Sequence, residues 1–481
     1  MKQLKWFALS FVVFIAAGSS KAQQPIDVYK KPLTEVLANV EKTFHVKLQY
    51  EDKNVKGLSV NYATWRFTSD VKNTLDDILK PLDLVYKEVN KDTYDITKYE
   101  YFRRTNAEGE KDLEELLALY SNSTQFNERR AELRECIFKA LGIGRFTKRT
   151  TLNPIFRPKK VMEGYTVENV AFESIPGYYV CGTLFRPTKG KGPFPVILSP
   201  HGHFYNNVDP SIPNERGRYR PDMQYRCAAL AKMGAIVFNY DMYSYGESVL
   251  QSGNKSYHKT GFALTIQTWN SIRGLDFLLS LPDADKKRVG VTGASGGGTQ
   301  TILVAALDDR ITASVPVVMV SSSFFGGCQC ESGLPIHEAC NGHKTNNAEL
   351  AALMAPKPQL VISDGNDWTK SVPGTDYPYL KKVYSLFGKE ANIENAHLEN
   401  DHHDYGFTKR VPMYKFFAKI FGLDLKAITG SDGNIDESKI SIQTAVDQQV
   451  FSKEHPMPAN ALKSHEGIVK VFKDAQSNDF E

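Results

Sequence analysis

Val289-Gly290-Val291-Thr292-Gly293-Ala294-Ser295-Gly296-Gly297 is the stretch whose reading decides the fold. The apolar run Arg288–Thr292 reads as a strand, and a helix is expected to begin near Thr299. Between them, Gly293-Ala294-Ser295-Gly296-Gly297 matches G-x-S-x-G, the pattern of a sharp strand-to-helix turn that exposes a serine hydroxyl. Glycines flank such a serine because the turn leaves no room for side chains. A bare match is weak, since any glycine-rich turn after a strand can produce it. The strand before it and the helix after it make Ser295 the candidate nucleophile.

Further strands frame this turn. Phe194–Ser199, Ala235–Tyr240, Ala313–Val320 and Gln359–Ser363 are near-continuous apolar runs separated by helical stretches. Strands apolar on both faces that alternate with helices imply an α/β domain, a mostly parallel sheet flanked by helices. This domain is assigned to residues 149–424, ending in the amphipathic helix Val411–Phe421.

A serine hydroxyl is a poor nucleophile until a base takes its proton. In a sheet of this kind an acid and then a histidine follow the serine along the chain. The strand Gln359–Ser363 leads to Asp364-Gly365-Asn366-Asp367-Trp368, where Asp367 fits the loop position better than Asp364. The run Asp401-His402-His403-Asp404-Tyr405-Gly406 offers the base. His403 is preferred to His402, and His397, in a strand-like segment, is the weaker candidate. The developing oxyanion needs fixed N–H donors. These are assigned to the backbone of His203, in Pro200-His201-Gly202-His203-Phe204, and of Gly296. The imidazoles of His201 and His203 read as shaping that loop. Asp241, Gly246 and Ser248 read as turn residues, and Trp269 as packed within a helix. Trp368, beside the acid, is the candidate substrate-binding ring. The chemistry calls for no cofactor and no metal.

These motifs carry a resemblance. From about 165 to 424 the chain resembles the α/β-hydrolase superfamily, in its acetylxylan-esterase-like and dienelactone-hydrolase-like branches. The residues that carry it are His201-Gly202-His203, Arg273-Gly274-Leu275-Asp276-Phe277-Leu278, the Gly-Ala-Ser-Gly-Gly-Gly turn, Asp367-Trp368-Thr369 and His403-Asp404-Tyr405-Gly406. The resemblance implies a serine ester hydrolase, often one removing acetyl groups from plant polysaccharides. A peptidase of prolyl-oligopeptidase type is the first alternative, but the residues before the hydrolase are too few for a propeller and show no blade repeat. A partner-binding or signalling protein with a vestigial hydrolase is the second, and the Ser-Asp-His set argues against it.

Residues 1–22 read as a signal peptide. Lys2 and Lys5 precede the uncharged apolar run Trp6 to Gly18, and Ser20-Lys21-Ala22 supplies the small residues of a cleavage site. The expected location is the periplasm. Residues 25–100 read as a small α+β domain. Pro32 starts a helix carrying Leu33, Val36, Leu37 and Val40, and Asp70 caps a second one. By pattern this stretch resembles the short N-terminal (STN) domain of secretins and TonB-dependent receptors, which implies a protein partner. Residues 101–148 read as a helical linker and 425–481 as a polar C-terminal extension.

The chain of 481 residues carries a net charge of +4, and three of its positive charges lie in the first 22 residues. Charge therefore does not argue for nucleic acid, and no run after the leader is long enough to span a membrane. The expected partner of the site is a small-molecule or oligosaccharide ester. Cys328-x-Cys330, His337, Cys340 and His343 have metal-like spacing. They read first as free structural cysteines, next as a disulfide from Cys340 to Cys328 or Cys330, and last as a zinc site.

Overall fold

The computed structural model describes residues 29–62, 68–79, 82, 84–98, 104–144, 149–203, 217–331 and 345–477. Residues 1–22, Phe204, His337, Cys340 and His343 lie outside the described residues. The chain divides into two compact units, Met1–Glu100 and Tyr101–Glu481.

In the first unit, β1 (Tyr29–Pro32) runs into the helix Leu33–Phe44, followed by β2 (Lys47–Tyr50) and β3 (Ser59–Tyr62). The helix Val71–Leu79 precedes the hairpin of β4 (Leu84–Asn90) and β5 (Thr93–Lys98). β1 pairs antiparallel with β3, and β5 pairs parallel with β2 and antiparallel with β4. Leu33, Val36, Leu37 and Val40 fall on one helical face and are buried against Leu75, Ile78 and Leu79 of the other helix. Asp70 Oδ1 accepts from the N–H of Lys72 at 2.6 Å and of Asn73 at 3.1 Å, capping the second helix.

The second unit begins with the helices Asn106–Leu117 and Ser123–Ala140. A capping box of Thr105 and Glu108 starts the first of them. Both helices belong to the core of this unit. Leu113, Leu116, Phe126, Leu133 and Ile137 are buried in it. Arg129 Nε and Nη2 donate to the two Glu349 carboxylate oxygens at 2.9 and 3.0 Å, with both side chains buried. Losing either partner would strand a buried charge, at about 3–5 kcal/mol.

The ten-stranded sheet of this unit starts at an antiparallel edge: β6 (Ile155–Phe156), β7 (Lys160–Val161), β8 (Tyr165–Ile175) and β9 (Tyr178–Pro187). It continues with β10 (Phe194–Leu198), β11 (Ile236–Tyr240), β12 (Ala284–Ala294), β13 (Ala313–Val317), β14 (Gln359–Asp364) and β15 (Ile393–Leu398). The spatial order is β15-β14-β13-β12-β10-β11-β9-β8-β6, and the strands from β10 onward pair parallel. Alternate side chains enter different cores. Val196 and Leu198 pack with the helices Gly261–Ser280 and Gly296–Leu307, while Ile197 packs with Pro221–Lys232 and Phe407–Phe421. A sheet covered on both faces is what the unbroken apolar runs require, and the unit has the α/β-hydrolase fold.

One expected strand is too long. Ala313–Val320 ends at Val317, because Val318 takes φ 45°, a left-handed conformation that a β-branched residue adopts only when held there. Its N–H donates to the Ile362 carbonyl at 2.8 Å.

The C-terminal stretch packs on the sheet unit. Arg218, buried, donates to Asp241 at 2.9 Å, to Glu247 at 2.6 Å and to the Gln448 carbonyl at 2.8 Å. Glu247 in turn accepts from the N–H of Val450 and Phe451. The helix His465–Ser477 follows, with Ile468 and Phe472 buried. Among the described residues no helix is long and apolar enough to cross a membrane.

Candidate active site

Ser295 stands between β12 and the helix Gly296–Leu307 at φ 57° and ψ −125°. That conformation is costly for any residue with a Cβ, and the turn is held in it from both sides. The Ser295 N–H donates to the Val317 carbonyl at 3.1 Å, and its own carbonyl accepts the helical bond of Thr299. The helix therefore starts at Gly296, three residues earlier than the sequence suggests, because the glycines themselves are helical. A Cβ on Gly297 would lie 2.5 Å from the Pro200 carbonyl oxygen, so the elbow and the loop after β10 approach backbone to backbone.

Asp367 and His403 come together from separate loops. His403 Nδ1 donates to Asp367 Oδ2 at 2.7 Å, leaving Nε2 as the acceptor. Asp367 Oδ1 accepts from the N–H and the hydroxyl of Thr369, both at 2.6 Å, which fixes the carboxylate. Asp364 faces elsewhere. It pairs with the buried Lys409 ammonium at 3.3 Å, and burial raises its pKa to about 6. Lys409 also donates to the His402 carbonyl at 2.6 Å and to Asp404 at 2.9 Å, bracing the histidine loop. The His402 ring is exposed, and His397 Nδ1 lies 2.9 Å from the Ser363 hydroxyl.

Arg226 ties these loops together. Its guanidinium donates to the Ser199 hydroxyl at 3.0 Å and the Pro200 carbonyl at 3.3 Å, and stacks over Tyr405 at 4.3 Å. The Tyr405 hydroxyl lies 2.7 Å from that of Thr292, on the strand that leads to Ser295.

The loop after β10 brings His203 to the elbow. His201 Nε2 accepts from the Met242 N–H at 3.0 Å, and burial lowers its pKa to about 3, so it is neutral and shapes the loop. A Cβ on Gly296 would come within 3.2 Å of the His203 ring. Asp241 and Ser248 serve the fold. Asp241 pairs with Arg218, and Ser248 lies 2.9 Å from the Tyr178 hydroxyl. Trp269 is buried and donates to the Ser174 carbonyl at 3.0 Å. Trp368 stacks on Phe324 with ring centroids 3.9 Å apart, and meets the His403 ring at a 45° tilt with centroids 4.4 Å apart.

Sequence reasoning missed Glu331. Ser295 Oγ donates to its Oε1 at 3.3 Å, the Gly327 N–H donates to Oε2 at 2.8 Å, and His203 Nδ1 contacts Oε1. Burial opposes its charge, yet the adjoining His203 and the Gly327 N–H bring its pKa down to about 2. A glutamate beside a cysteine in an insertion gives no signal of this role. The cysteine reading is corrected too. Cys328 is bonded to Cys330, neither free nor joined to Cys340. A turn closed by the Glu331 N–H on the Cys328 carbonyl sets their Cα atoms 5.3 Å apart. Cys181 and Cys227 are free and buried.

The arrangement presents a strained, nearly buried hydroxyl, an acid-oriented imidazole and a glycine-lined helix start, which suits acyl transfer. The acetyl xylan esterase (AXE1) family matches residues 146–332. The fold and these likenesses define a carboxylic ester hydrolase of the carbohydrate-esterase class. The solved structure of methylesterase BT1017 is 39% identical, with a TM-score of 0.72, covering 94% of this chain and 98% of that one. The chain belongs to the same esterase family as that protein. "Putative hydrolase YtaP" of Bacillus subtilis (strain 168) is 24% identical over 263 residues, 51% of this chain and 84% of that protein. Acetyl esterase Axe7A of Xylanibacter ruminicola is 29% identical over 146 residues, 28% of this chain and 31% of that one. These likenesses do not favour the peptidase or the vestigial-module reading.

Proposed function

We propose that the chain is an exported serine carbohydrate esterase with Ser295 as nucleophile, His403 as base and Asp367 as the acid that orients it. The observation that carries this reading is the 2.7 Å contact of His403 Nδ1 with Asp367, on loops that follow the strained Ser295 turn in the expected order. His403 Nε2 takes the Ser295 proton as Oγ attacks the ester carbonyl. The N–H groups of His203 and Gly296 hold the oxyanion. The alcohol leaves with the proton from His403, and water then repeats the attack on the acyl-enzyme. Trp368 lines the pocket beside the base.

The ester is a methyl ester of a carboxylated sugar, supported by the likeness to a methylesterase over nearly the whole chain. A methyl ester places the acid on the carbohydrate and releases methanol. An acetyl ester is the second reading, supported by the acetyl xylan esterase family over residues 146–332. Incubating wild type and Ser295→Ala with methyl-esterified uronate oligosaccharides and with acetylated xylan oligosaccharides separates the two, by methanol or acetate released. Folded wild type that turns over neither, nor p-nitrophenyl acetate, sinks the esterase mechanism. The first unit is read as an STN-like partner-docking domain and the site of action as the periplasm, supported by the leader pattern of residues 1–22 and by the separate core of the first unit.

A further inference from the structure

Beside Ser295, four side chains from three segments converge. His203 ends the described part of the loop after β10, His258 lies in the turn Lys255–Lys259, and Cys328 and Cys330 share one tight turn. Their donor atoms all lie within 4.8 Å of one another. His203 Nε2 is 3.2 Å from Cys330 Sγ and 3.6 Å from Cys328 Sγ, and it directly faces His258 Nε2.

The outer nitrogens of both rings are already engaged. His258 Nδ1 lies 2.6 Å from the Tyr243 carbonyl, which can only accept, so Nδ1 carries the proton. His203 Nδ1 meets the Glu331 carboxylate, also an acceptor. In the neutral rings, both Nε2 atoms are then lone pairs aimed at each other, and two lone pairs in contact require a proton or a metal ion between them. Imidazoles whose far nitrogen donates to a carboxylate or a backbone carbonyl are the usual outer-shell pattern of metal-bound histidines. Two imidazoles with two sulfurs suit zinc, and are poor ligands for calcium or magnesium.

We propose that His203, His258, Cys328 and Cys330, with the cysteine pair as the dithiol, form a four-ligand site for a zinc-class divalent cation. Binding makes two metal–nitrogen and two metal–sulfur bonds. The two thiol protons pass to water, and no electrons move. Reaching the dithiol from the disulfide takes two electrons and two protons from a thiol or phosphine reductant. The disulfide joins residues two positions apart and ties no segment to another. The ion links the loop after β10, the turn before the helix Gly261–Ser280, and the turn that carries Glu331. It thereby positions Glu331 and His203 against Ser295.

The test uses full-length protein reduced with a phosphine, loaded with Zn2+, desalted and measured for metal. One zinc per chain is expected, with little retained by protein held in the disulfide form. His258→Ala and Cys330→Ser, checked for folding by circular dichroism, are expected to weaken zinc binding by about 100-fold. Cobalt loading of the wild type needs no variant, and is expected to give thiolate-to-cobalt charge transfer and the intense visible bands of a tetrahedral site. Reduced, folded protein that binds neither metal, or cobalt bound without the sulfur band, overturns the proposal. Ser295→Ala is expected to keep its zinc, so failure of this site and failure of the esterase mechanism are told apart.

Discussion

Asp367, and not Asp364, holds His403: the carboxylate of Asp367 meets Nδ1 at 2.7 Å, while Asp364 is paired with the buried Lys409. Asp367→Asn is therefore expected to lower kcat by about 10⁴-fold through loss of the productive tautomer. Asp364→Asn is expected to act on stability, with kcat kept within about tenfold. Steady-state hydrolysis of p-nitrophenyl acetate and thermal melts of both variants check this. Equal losses of kcat would reverse the assignment.

Ser295 occupies a backbone conformation that glycine adopts without strain. Ser295→Gly is expected to abolish turnover and to raise stability by about 1 kcal/mol over Ser295→Ala, which keeps the Cβ. Urea unfolding of the two inactive variants gives the difference directly. A glycine variant less stable than the alanine one would mean that the elbow is not strained.

Gly297 has no space for a side chain, since a Cβ would sit 2.5 Å from the Pro200 carbonyl oxygen and 3.0 Å from the His201 carbonyl carbon. Gly297→Ala must push the loop after β10 away from the turn at Ser295. Loss of stability of about 1–3 kcal/mol and a fall in kcat of about 100-fold are expected. A variant with wild-type kcat would place the oxyanion donors elsewhere.

Asp376 is fully buried, and burial raises its pKa from 3.8 to about 6, although it accepts the Ser322 N–H at 2.7 Å. Between pH 3.8 and 6 the folded chain then holds a proton that the unfolded chain releases. The contribution of this group is full below the lower value and is lost as pH rises through the upper one. Asp376→Asn is expected to leave stability at pH 4 nearly unchanged and to raise it at pH 7 by about 1–3 kcal/mol. Denaturation curves at the two pH values check the sign, and a variant destabilised only at pH 7 would contradict it.

The sheet was legible where both faces are buried. The runs at β10, β11, β12 and β14 are apolar without alternation, and their expected limits lie within a few residues of the observed ones. Ala313–Val320 overran because hydrophobicity does not report the backbone twist at Val318. The antiparallel edge, β6 to β9, has no motif to announce it. The contact of Asp367 with His403 was legible because their loops follow strands in a fixed order. Glu331 and His258 were not, because no motif marks either of them and only the folded chain brings them to Ser295 and His203. The pairing of Cys328 with Cys330 depends on a turn that spacing alone does not reveal.

The buried Arg218 and Glu247 depend on Gln448, Val450 and Phe451 for three of their partners. Until those residues arrive, a guanidinium and a carboxylate beneath β9 lack the backbone groups that satisfy them. A chain emerging N-terminus first can complete its small leading unit early. Its hydrolase unit has to wait for a stretch about 230 positions after Arg218, held unfinished while the first unit can already fold.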